Sequence, residues 1–178
     1  MKYIKLFENF EDYDPYELMI MSPNKKGEML VKEIEKDEPN LNLVRDLITL
    51  GANLDWQDDY GRTALHWCAY NNHPEILRML IDSGADVNIQ RNGGWTALHI
   101  CADWNRPEIA RMLVDAGADL NIQDDDGWTA LHVCAIRNHP EIARMLIDAG
   151  ADKIITNNKG KLPYDLAKSK ELKKLLKP

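Results

Sequence analysis

Residues 58–156 consist of three consecutive copies of one 33-residue unit, and this repetition constrains the fold more than any other feature. The tetrapeptide Thr-Ala-Leu-His begins at Thr63, Thr96 and Thr129, and Gly-Ala-Asp recurs towards the end of each copy. The three copies align without a gap. A unit of this length is too small to bury its own apolar face, so such units stack and share one continuous core. The sequence therefore predicts an all-α solenoid of stacked repeats.

Each copy carries the signals of two short helices joined by a turn. In the first copy, Thr63 suits the N-cap of a helix, and Asn71-Asn72 suits its end, because asparagine tolerates the left-handed conformation. Pro74 suits the first turn of a second helix, where its missing N–H is not needed. Gly84 predicts the end of that helix. An extended arm with a tight turn then leads into the next copy.

The flanking sequence predicts diverged terminal units, because the end of a stacked array must present one face to water. The stretch before the three copies keeps the second half of the unit, and the stretch after them keeps the first half. We therefore divide the chain into an N-terminal extension, residues 1–26, and a repeat domain, residues 27–178. The repeat domain has five units, at 27–57, 58–90, 91–123, 124–156 and 157–178.

The N-terminal extension is too apolar for an inert tail, since it contains Ile4, Leu6, Phe7 and Phe10. Two interpretations stay open at this point. The extension folds back over the exposed apolar flank of the first unit, or it serves as a short linear anchor for another protein. We expect no secretory signal at the start of the chain, because it lacks a long apolar core and a small-residue cleavage site.

Composition narrows the classes of function. The net charge of −7 argues against binding nucleic acid through its phosphates, and no apolar run approaches the ~20 residues needed to cross a bilayer. The three cysteines occupy one equivalent position, which predicts small buried residues in a reducing compartment, and we expect a cytoplasmic monomer. Residues 153–178 carry eight lysines against two acids, which indicates a solvated face or a basic docking patch.

Three motifs of the repeated unit together resemble the ankyrin repeat. In order they are Thr-x-Leu-His-x-x-Ala, Pro-Glu-Ile-x-Arg-x-Leu and Gly-Ala-Asp-x-Asn. The resemblance covers roughly residues 27–178, and the sequence departs from it where Lys153-Ile154-Ile155 replaces the Val-Asn pattern of the final arm. It implies an ankyrin-type α-solenoid of helix-turn-helix repeats with projecting hairpin arms. It also implies a concave surface of arms and first helices that grips another protein, and histidines that hydrogen-bond within and between the hairpin turns.

Other chemical interpretations are weaker. The His-x-Cys pairs beginning at His66, His99 and His132 suggest metal ligands, but residues two apart on a helix point to different sides. Their threefold recurrence favours packing over a single Cys/His nucleophile. Asp124-Asp125-Asp126-Gly127 resembles the start of a calcium loop without its later glutamate, so it indicates a turn. We expect no enzymatic activity, no cofactor and no metal.

The positions that differ between repeats are the candidates for recognition. They lie in the arm turns and at the ends of the first helices, and tryptophan, tyrosine and arginine there are typical of interface hot spots. The predicted partner-binding residues are Asp59, Tyr60, Arg62, Tyr70, Asn71, Asn92, Trp95, Asp103, Trp104, Asp125, Trp128, Ile136 and Arg137. For Trp95 and Trp128, packing on neighbouring arms is an equal alternative. Trp67 aligns with Ile100 and Val133, which predicts a core position.

These observations predict a non-catalytic module that binds a partner protein on its concave face. The alternative is an adaptor or scaffold whose termini dock while the repeats act as a rigid spacer. A third hypothesis follows from the resemblance, because Asn88 and Asn121 stand where that family is modified by asparagine hydroxylation.

Overall fold

The computed structural model describes residues 14–178, and within them the chain forms eleven α-helices and no β-strand. In chain order the helices are α1 (Pro15–Ile20), α2 (Pro23–Ile34), α3 (Leu41–Thr49), α4 (Ala64–Asn71), α5 (Pro74–Asp82), α6 (Ala97–Trp104), α7 (Pro107–Asp115), α8 (Ala130–Arg137), α9 (Pro140–Asp148), α10 (Pro163–Leu166) and α11 (Lys170–Leu176). The helix pairs of the three central repeats lie where the sequence predicted them.

The helices stack in two rows. The first helix of each repeat contacts the first helix of the next, which gives the row α2, α4, α6, α8, α10. The second helices form a parallel row of α3, α5, α7, α9 and α11, and each packs on its own first helix. The all-α solenoid predicted from the repeat period is therefore confirmed.

Equivalent side chains of successive repeats fill one continuous core. Leu80, Leu113 and Leu146 have no exposed surface, and each is worth roughly 1.5–3 kcal/mol of apolar burial. The cysteines at positions 68, 101 and 134 are free thiols buried in the same core, as the sequence predicted. Because each layer of the core is shared by two repeats, removing one repeat would expose the next.

The predicted helix ends are confirmed. Thr63 caps α4 in extended conformation and takes part in a capping box with His66, and the equivalent threonines repeat this arrangement. Asn72 ends α4 in the left-handed conformation with φ of 59°, as do the equivalent asparagines of the next two repeats. Pro74 occupies the first turn of α5, where no hydrogen-bond donor is required.

The arms approach each other closely at their glycines. In the turn before each threonine cap stands a glycine with positive φ, 73° at Gly61, 80° at Gly94 and 79° at Gly127. A Cβ atom at Gly94 would lie 2.7 Å from the Asp124 Cα and from the Asp125 backbone nitrogen of the next arm. Glycine is therefore required there both for the backbone conformation and for the stacking of arm on arm.

The N-terminal end of the described chain packs on the first repeat. Leu18 of α1 is almost fully buried in the common core. Lys26, itself buried, donates from Nζ to the backbone oxygen of Leu50 at 2.8 Å, which ties α2 to the end of α3. Helix α2 begins at Pro23, within the stretch assigned to the N-terminal extension. The apolar residues Ile4, Leu6, Phe7 and Phe10 lie outside the described residues.

The last repeat keeps the arm of the others, but its first helix, α10, has only four residues, and its C-cap residue, Ala167, has an extended conformation. Although Lys153-Ile154-Ile155 departs from the repeat motif, the final arm forms, with the Asn158 N–H donating to the Asp126 oxygen at 3.0 Å. Helix α11 buries Leu172 and Leu176 and leaves its lysines exposed, as predicted for a solvent-facing end.

Gly94→Ala and Gly160→Ala form a matched pair that isolates the stacking of the arms. Both glycines have positive φ, but a Cβ at Gly160 would meet no atom within 4 Å. Gly160→Ala should therefore lower the free energy of unfolding only by the cost of holding a residue with a Cβ at positive φ, roughly 1–2 kcal/mol. Gly94→Ala should lower the free energy of unfolding by a further ~1–3 kcal/mol, because its Cβ collides with the backbone of the next arm. Urea unfolding followed by circular dichroism measures both values, and equal losses would contradict close contact between the arms.

Candidate functional site

The arms and the first-helix row form one surface, which we call the arm face. It contains the predicted partner-binding residues, and none of them is buried. Six are exposed: Asp59, Tyr60, Asn92, Trp104, Asp125 and Arg137. Seven are partly buried: Arg62, Tyr70, Asn71, Trp95, Asp103, Trp128 and Ile136. That these positions bind a partner stays a prediction.

A histidine in each central repeat connects that repeat to the next arm. His66 Nδ1 lies 3.1 Å from the Thr63 backbone nitrogen and 2.9 Å from its hydroxyl, and Nε2 lies 3.0 Å from the Trp95 carbonyl oxygen. His99 and His132 make the same contacts one and two repeats further on. The hydrogen bonds expected for these histidines, within and between hairpin turns, are therefore present.

The partners determine the protonation of these rings. The Thr63 N–H donates to Nδ1 of His66, so that nitrogen must carry a lone pair, and a carbonyl can only accept, so Nε2 must carry the proton. Burial lowers the pKa of His66 from 6.5 to about 4, which maintains the neutral ring. Burial also lowers the pKa values of His99 and His132. Each bridge therefore requires a neutral imidazole.

Five side chains on the arm face form a continuous group, which we call the aromatic cluster: Tyr60, Arg62, Trp67, Tyr70 and Trp104. The Arg62 guanidinium carbon lies 4.6 Å from the centroid of the Tyr60 ring and 4.2 Å from that of Trp67. The centroids of Trp67 and Tyr70 are 6.0 Å apart, and those of Tyr70 and Trp104 are 6.2 Å apart in an edge-on arrangement. The cluster spans two repeats.

Trp67 corrects a prediction made from the repeat alignment. The equivalent Ile100 and Val133 are buried, but Trp67 packs against the core with only part of its ring and shares the rest with the aromatic cluster. Its indole Nε1 is covered and finds no acceptor among the described residues. An indole is larger than the side chains that fit this position in the other repeats, so it extends to the surface.

Asp58 neutralises the cation of the aromatic cluster. Its carboxylate accepts from the Arg62 side chain at 2.7 Å and from the Arg62 and Tyr60 backbone N–H groups at 2.9 Å each. Burial raises the pKa of Asp58, but these hydrogen bonds outweigh burial and hold the pKa below its ordinary value. The pair Asp58–Arg62 therefore adds little net charge to the arm face.

Trp95 braces two neighbouring arms. Its indole Nε1 donates to the Asp124 carboxylate at 2.9 Å, and its ring lies 6.0 Å from that of His99. Trp128 lies in the same way beside His132, at 6.1 Å between ring centroids. The alternative of packing on a neighbouring arm is therefore realised for Trp95, whereas the Trp128 ring contacts His132 of its own repeat. Both tryptophans are partly exposed on the arm face.

Several of the other predicted residues also have structural partners. Asn71 donates to the carbonyl oxygens of Ile34 and Glu35, both at 3.1 Å, and so holds the end of α2. Asn92 donates to the Asp59 carbonyl at 3.2 Å, which joins two arm turns. Asp103 and Arg137 form an ion pair between the ends of α6 and α8. The sequence could not show these contacts, because each joins different repeats.

Two family models match the sequence, ankyrin repeats (3 copies) over residues 34–124 and ankyrin repeats (many copies) over residues 113–167. The chain belongs to the ankyrin repeat family. A search of curated proteins found no match. Ankyrin repeats are generally protein–protein interaction modules and are typically not enzymes.

The rest of the described ankyrin array offers few sites for other chemistry. Residues 14–178 contain no group of three His, Cys, Asp or Glu side chains arranged to hold a metal ion, and none of their helices is long and apolar enough to cross a membrane. Burial raises the pKa of each cysteine thiol well above its ordinary value, so the nucleophilic thiolate is disfavoured.

The asparagines proposed for hydroxylation hold the arms together. The side-chain oxygen of Asn88 accepts from the Asp119 N–H, and that of Asn121 accepts from the Asp152 N–H, both at 2.8 Å. Hydroxylation of Asn88 or Asn121 stays a prediction, and intact mass of the native protein tests it. An added oxygen on neither residue would contradict it.

The neutral histidine bridges predict a loss of stability in mild acid. His66 has a folded pKa of about 4 and an unfolded pKa near 6.5, so below pH ~6.5 the unfolded chain binds more protons and stability falls with falling pH. His66 alone should contribute a loss of about 2 kcal/mol between pH 7 and pH 5. His66→Gln removes this titration and should give a smaller slope from a lower starting stability. Urea unfolding at several pH values measures both slopes, and a flat profile for the native chain would contradict the neutral bridges.

Proposed function

We propose that this ankyrin array is a non-catalytic binding module that holds one partner protein on its arm face. The observation that carries the proposal is the exposure of large aromatic side chains there. Tyr60 is 64% exposed and Trp104 is 54% exposed, beside the partly buried Tyr70. Aromatic side chains of this kind, mixed with arginine, dominate the binding energy of protein interfaces.

The structural contacts on the arm face favour tight binding at low entropic cost. Arg62 is held by Asp58, and Trp95 is held by Asp124 of the next arm. Side chains that are already ordered lose little freedom when a partner arrives, so more of the contact energy appears as affinity. The arms and first helices of the three central repeats can supply a standard interface of ~800 Å² on this chain.

The compartment and the oligomeric state belong to the same proposal. The three free cysteines are compatible with a reducing compartment, so we place the protein in the cytoplasm. We propose a monomer that binds its partner with one array, without nucleic acid or membrane.

Photo-crosslinking at defined positions tests the arm face directly. A benzoylphenylalanine at position 60 or 104 should crosslink the partner in lysate of the native host, because both positions are exposed on the arm face. The same residue at position 111, exposed on the second-helix row, is the control and should give no such adduct. Mass spectrometry identifies the adduct.

Competition by chains without the crosslinker shows whether the crosslinked adduct is specific. Unlabelled native chain should abolish the adduct, whereas a Tyr60→Ser/Trp104→Ser chain with an unchanged circular dichroism spectrum should compete at least tenfold less well. An aromatic hot spot is worth ~2 kcal/mol or more, which exceeds the ~1.4 kcal/mol that corresponds to a tenfold change in affinity. An adduct only at position 111, or equal competition by the two chains, would contradict binding on the arm face.

A second candidate function places docking at the termini. Helix α1 leaves Tyr16 68% and Ile20 67% exposed while Leu18 is buried, so one side of α1 anchors the helix and the other side faces outward. Deleting residues 1–20 would also remove the core contact of Leu18, so it would change stability as well as docking. Point variants at exposed positions change docking alone.

Variants of each end discriminate the two functions. If the termini dock, Tyr16→Ser/Ile20→Ser or Lys173→Glu/Lys174→Glu should lose the crosslinked partner, because these side chains are exposed and their loss leaves the core intact. If the arm face docks, both variants should keep the partner. Thermal unfolding confirms that each variant is folded.

A further inference from the structure

The aromatic cluster already binds one guanidinium, that of Arg62. This group stacks over Tyr60 and Trp67 at 4.6 and 4.2 Å and is neutralised by Asp58. A guanidinium is planar and weakly hydrated, so it combines stacking on an aromatic face with hydrogen bonds to a carboxylate. The chain thus contains an internal example of an arginine held by aromatic rings and an aspartate.

The next ring pair of the cluster offers a similar surface with no cation on it. Tyr70 and Trp104 meet edge to face with centroids 6.2 Å apart, and Tyr70 also contacts Trp67 and the core, so most of the free ring surface belongs to Trp104, which is more than half exposed. No arginine or lysine of the described chain stacks on either ring. Their electron-rich faces are therefore available to a cation from outside.

The charge of the arm turns, which lie at the opposite ends of the first helices from this ring pair, also favours a basic segment. Beside the rings themselves, Arg106 donates to the Tyr70 carbonyl oxygen at 3.3 Å. The three central arm turns, residues 58–62, 91–95 and 124–128, carry five carboxylates against two arginines, a net charge of −3. Within the described part of the chain, Asp59, Asp125 and Asp126 are exposed and form no ion pair. The nearby Arg137 is already paired with Asp103. A basic segment would find both free carboxylates and free aromatic faces here.

We propose that the partner contributes an extended, arginine-bearing basic segment to the arm face, with one guanidinium on Tyr70 and Trp104 and another at Asp125 and Asp126. This inference rests on the proposed function and specifies its partner. Arginine is favoured over lysine because its planar fork stacks on the rings and can bind a carboxylate with two hydrogen bonds.

The spacing of the repeats fits an extended segment. Tyr70 and Trp104 lie at the ends of α4 and α6, whereas the third arm turn precedes the start of α8. The two sites are therefore separated by the length of an eight-residue helix, roughly 12 Å, and by one repeat spacing of roughly 8–10 Å. An extended chain rises ~3.3 Å per residue and places alternate side chains on one side, roughly 7 Å apart. Two arginines about four positions apart on the same side of one strand would therefore reach both sites, and a peptide with arginine at alternate positions contains such pairs.

Fluorescence anisotropy with labelled synthetic peptides tests the proposal on the full chain. The probe alternates arginine and glycine, and matched peptides carry lysine or glutamate in place of arginine. We expect the arginine peptide to bind at least threefold more tightly than the lysine peptide of equal charge, and the glutamate peptide not to bind. Trp104→Leu should weaken binding of the arginine peptide about two- to fivefold, whereas Trp104→Phe should largely retain it, because only phenylalanine keeps a ring face.

Two double variants with the same change in charge separate a specific contact of the peptide from general electrostatic attraction. Asp125→Asn/Asp126→Asn should weaken the arginine peptide several-fold, whereas Asp115→Asn/Asp148→Asn should not, since Asp115 and Asp148 are exposed at the ends of the second helices α7 and α9. Equal binding of arginine and lysine peptides, tight binding of the glutamate peptide, or equal effects of the two double variants would overturn the proposal. If the crosslink at positions 60 and 104 persists in that case, the arm face still binds a partner and only the chemistry assigned to it is wrong.

Discussion

The structure depends on a neutral histidine that joins each repeat to the next. In every central repeat the ring accepts at Nδ1 from the backbone of its own capping threonine and donates at Nε2 to the carbonyl before the next threonine. The contact aligns the start of a helix with the neighbouring arm and satisfies buried polar groups at the same time. A protonated ring could not accept at Nδ1, so burial and geometry support the same charge state.

Because residues that recur fix the spacing of the stack, the remaining positions can differ between repeats, and those that stay exposed, such as Tyr60 and Trp104, are available for recognition. The core leucines, the capping threonines and the arm glycines are equivalent from repeat to repeat, and they fix the spacing of the arms. Two features of the arm face occur only once, the aromatic cluster and the acidic third arm turn. The arm face is therefore uneven along its length, which is what a surface needs to bind a partner in one register.

Much of the fold could be predicted from the sequence because its determinants are local. The cap at Thr63, the left-handed end at Asn72 and the proline start at Pro74 act within one or two turns of the chain, and all are confirmed. The placement of Tyr60 and Trp104 on the surface was equally predictable from their position in the repeat. The family resemblance is confirmed by the matches over residues 34–167.

What the sequence could not predict are contacts that depend on the distance between repeats. Trp67 occupies a repeat position that is buried in the other repeats. Only its size and the position of Arg62 bring part of its ring to the arm face. Trp95 and Asp124 are 29 positions apart, and their hydrogen bond follows from the spacing of adjacent arms. Which of the thirteen predicted residues bind a partner, and which only brace the array, could therefore not be separated by pattern alone.

Hydrogen exchange of the chain with and without its crosslinked host partner tests the central claim most directly. The amides of the arm turns and of α4, α6 and α8 should gain protection, while those of α5, α7 and α9 should exchange as they do in the free chain. Protection confined to the second-helix row, or to α1 and α11, would show that recognition lies elsewhere and would contradict the account.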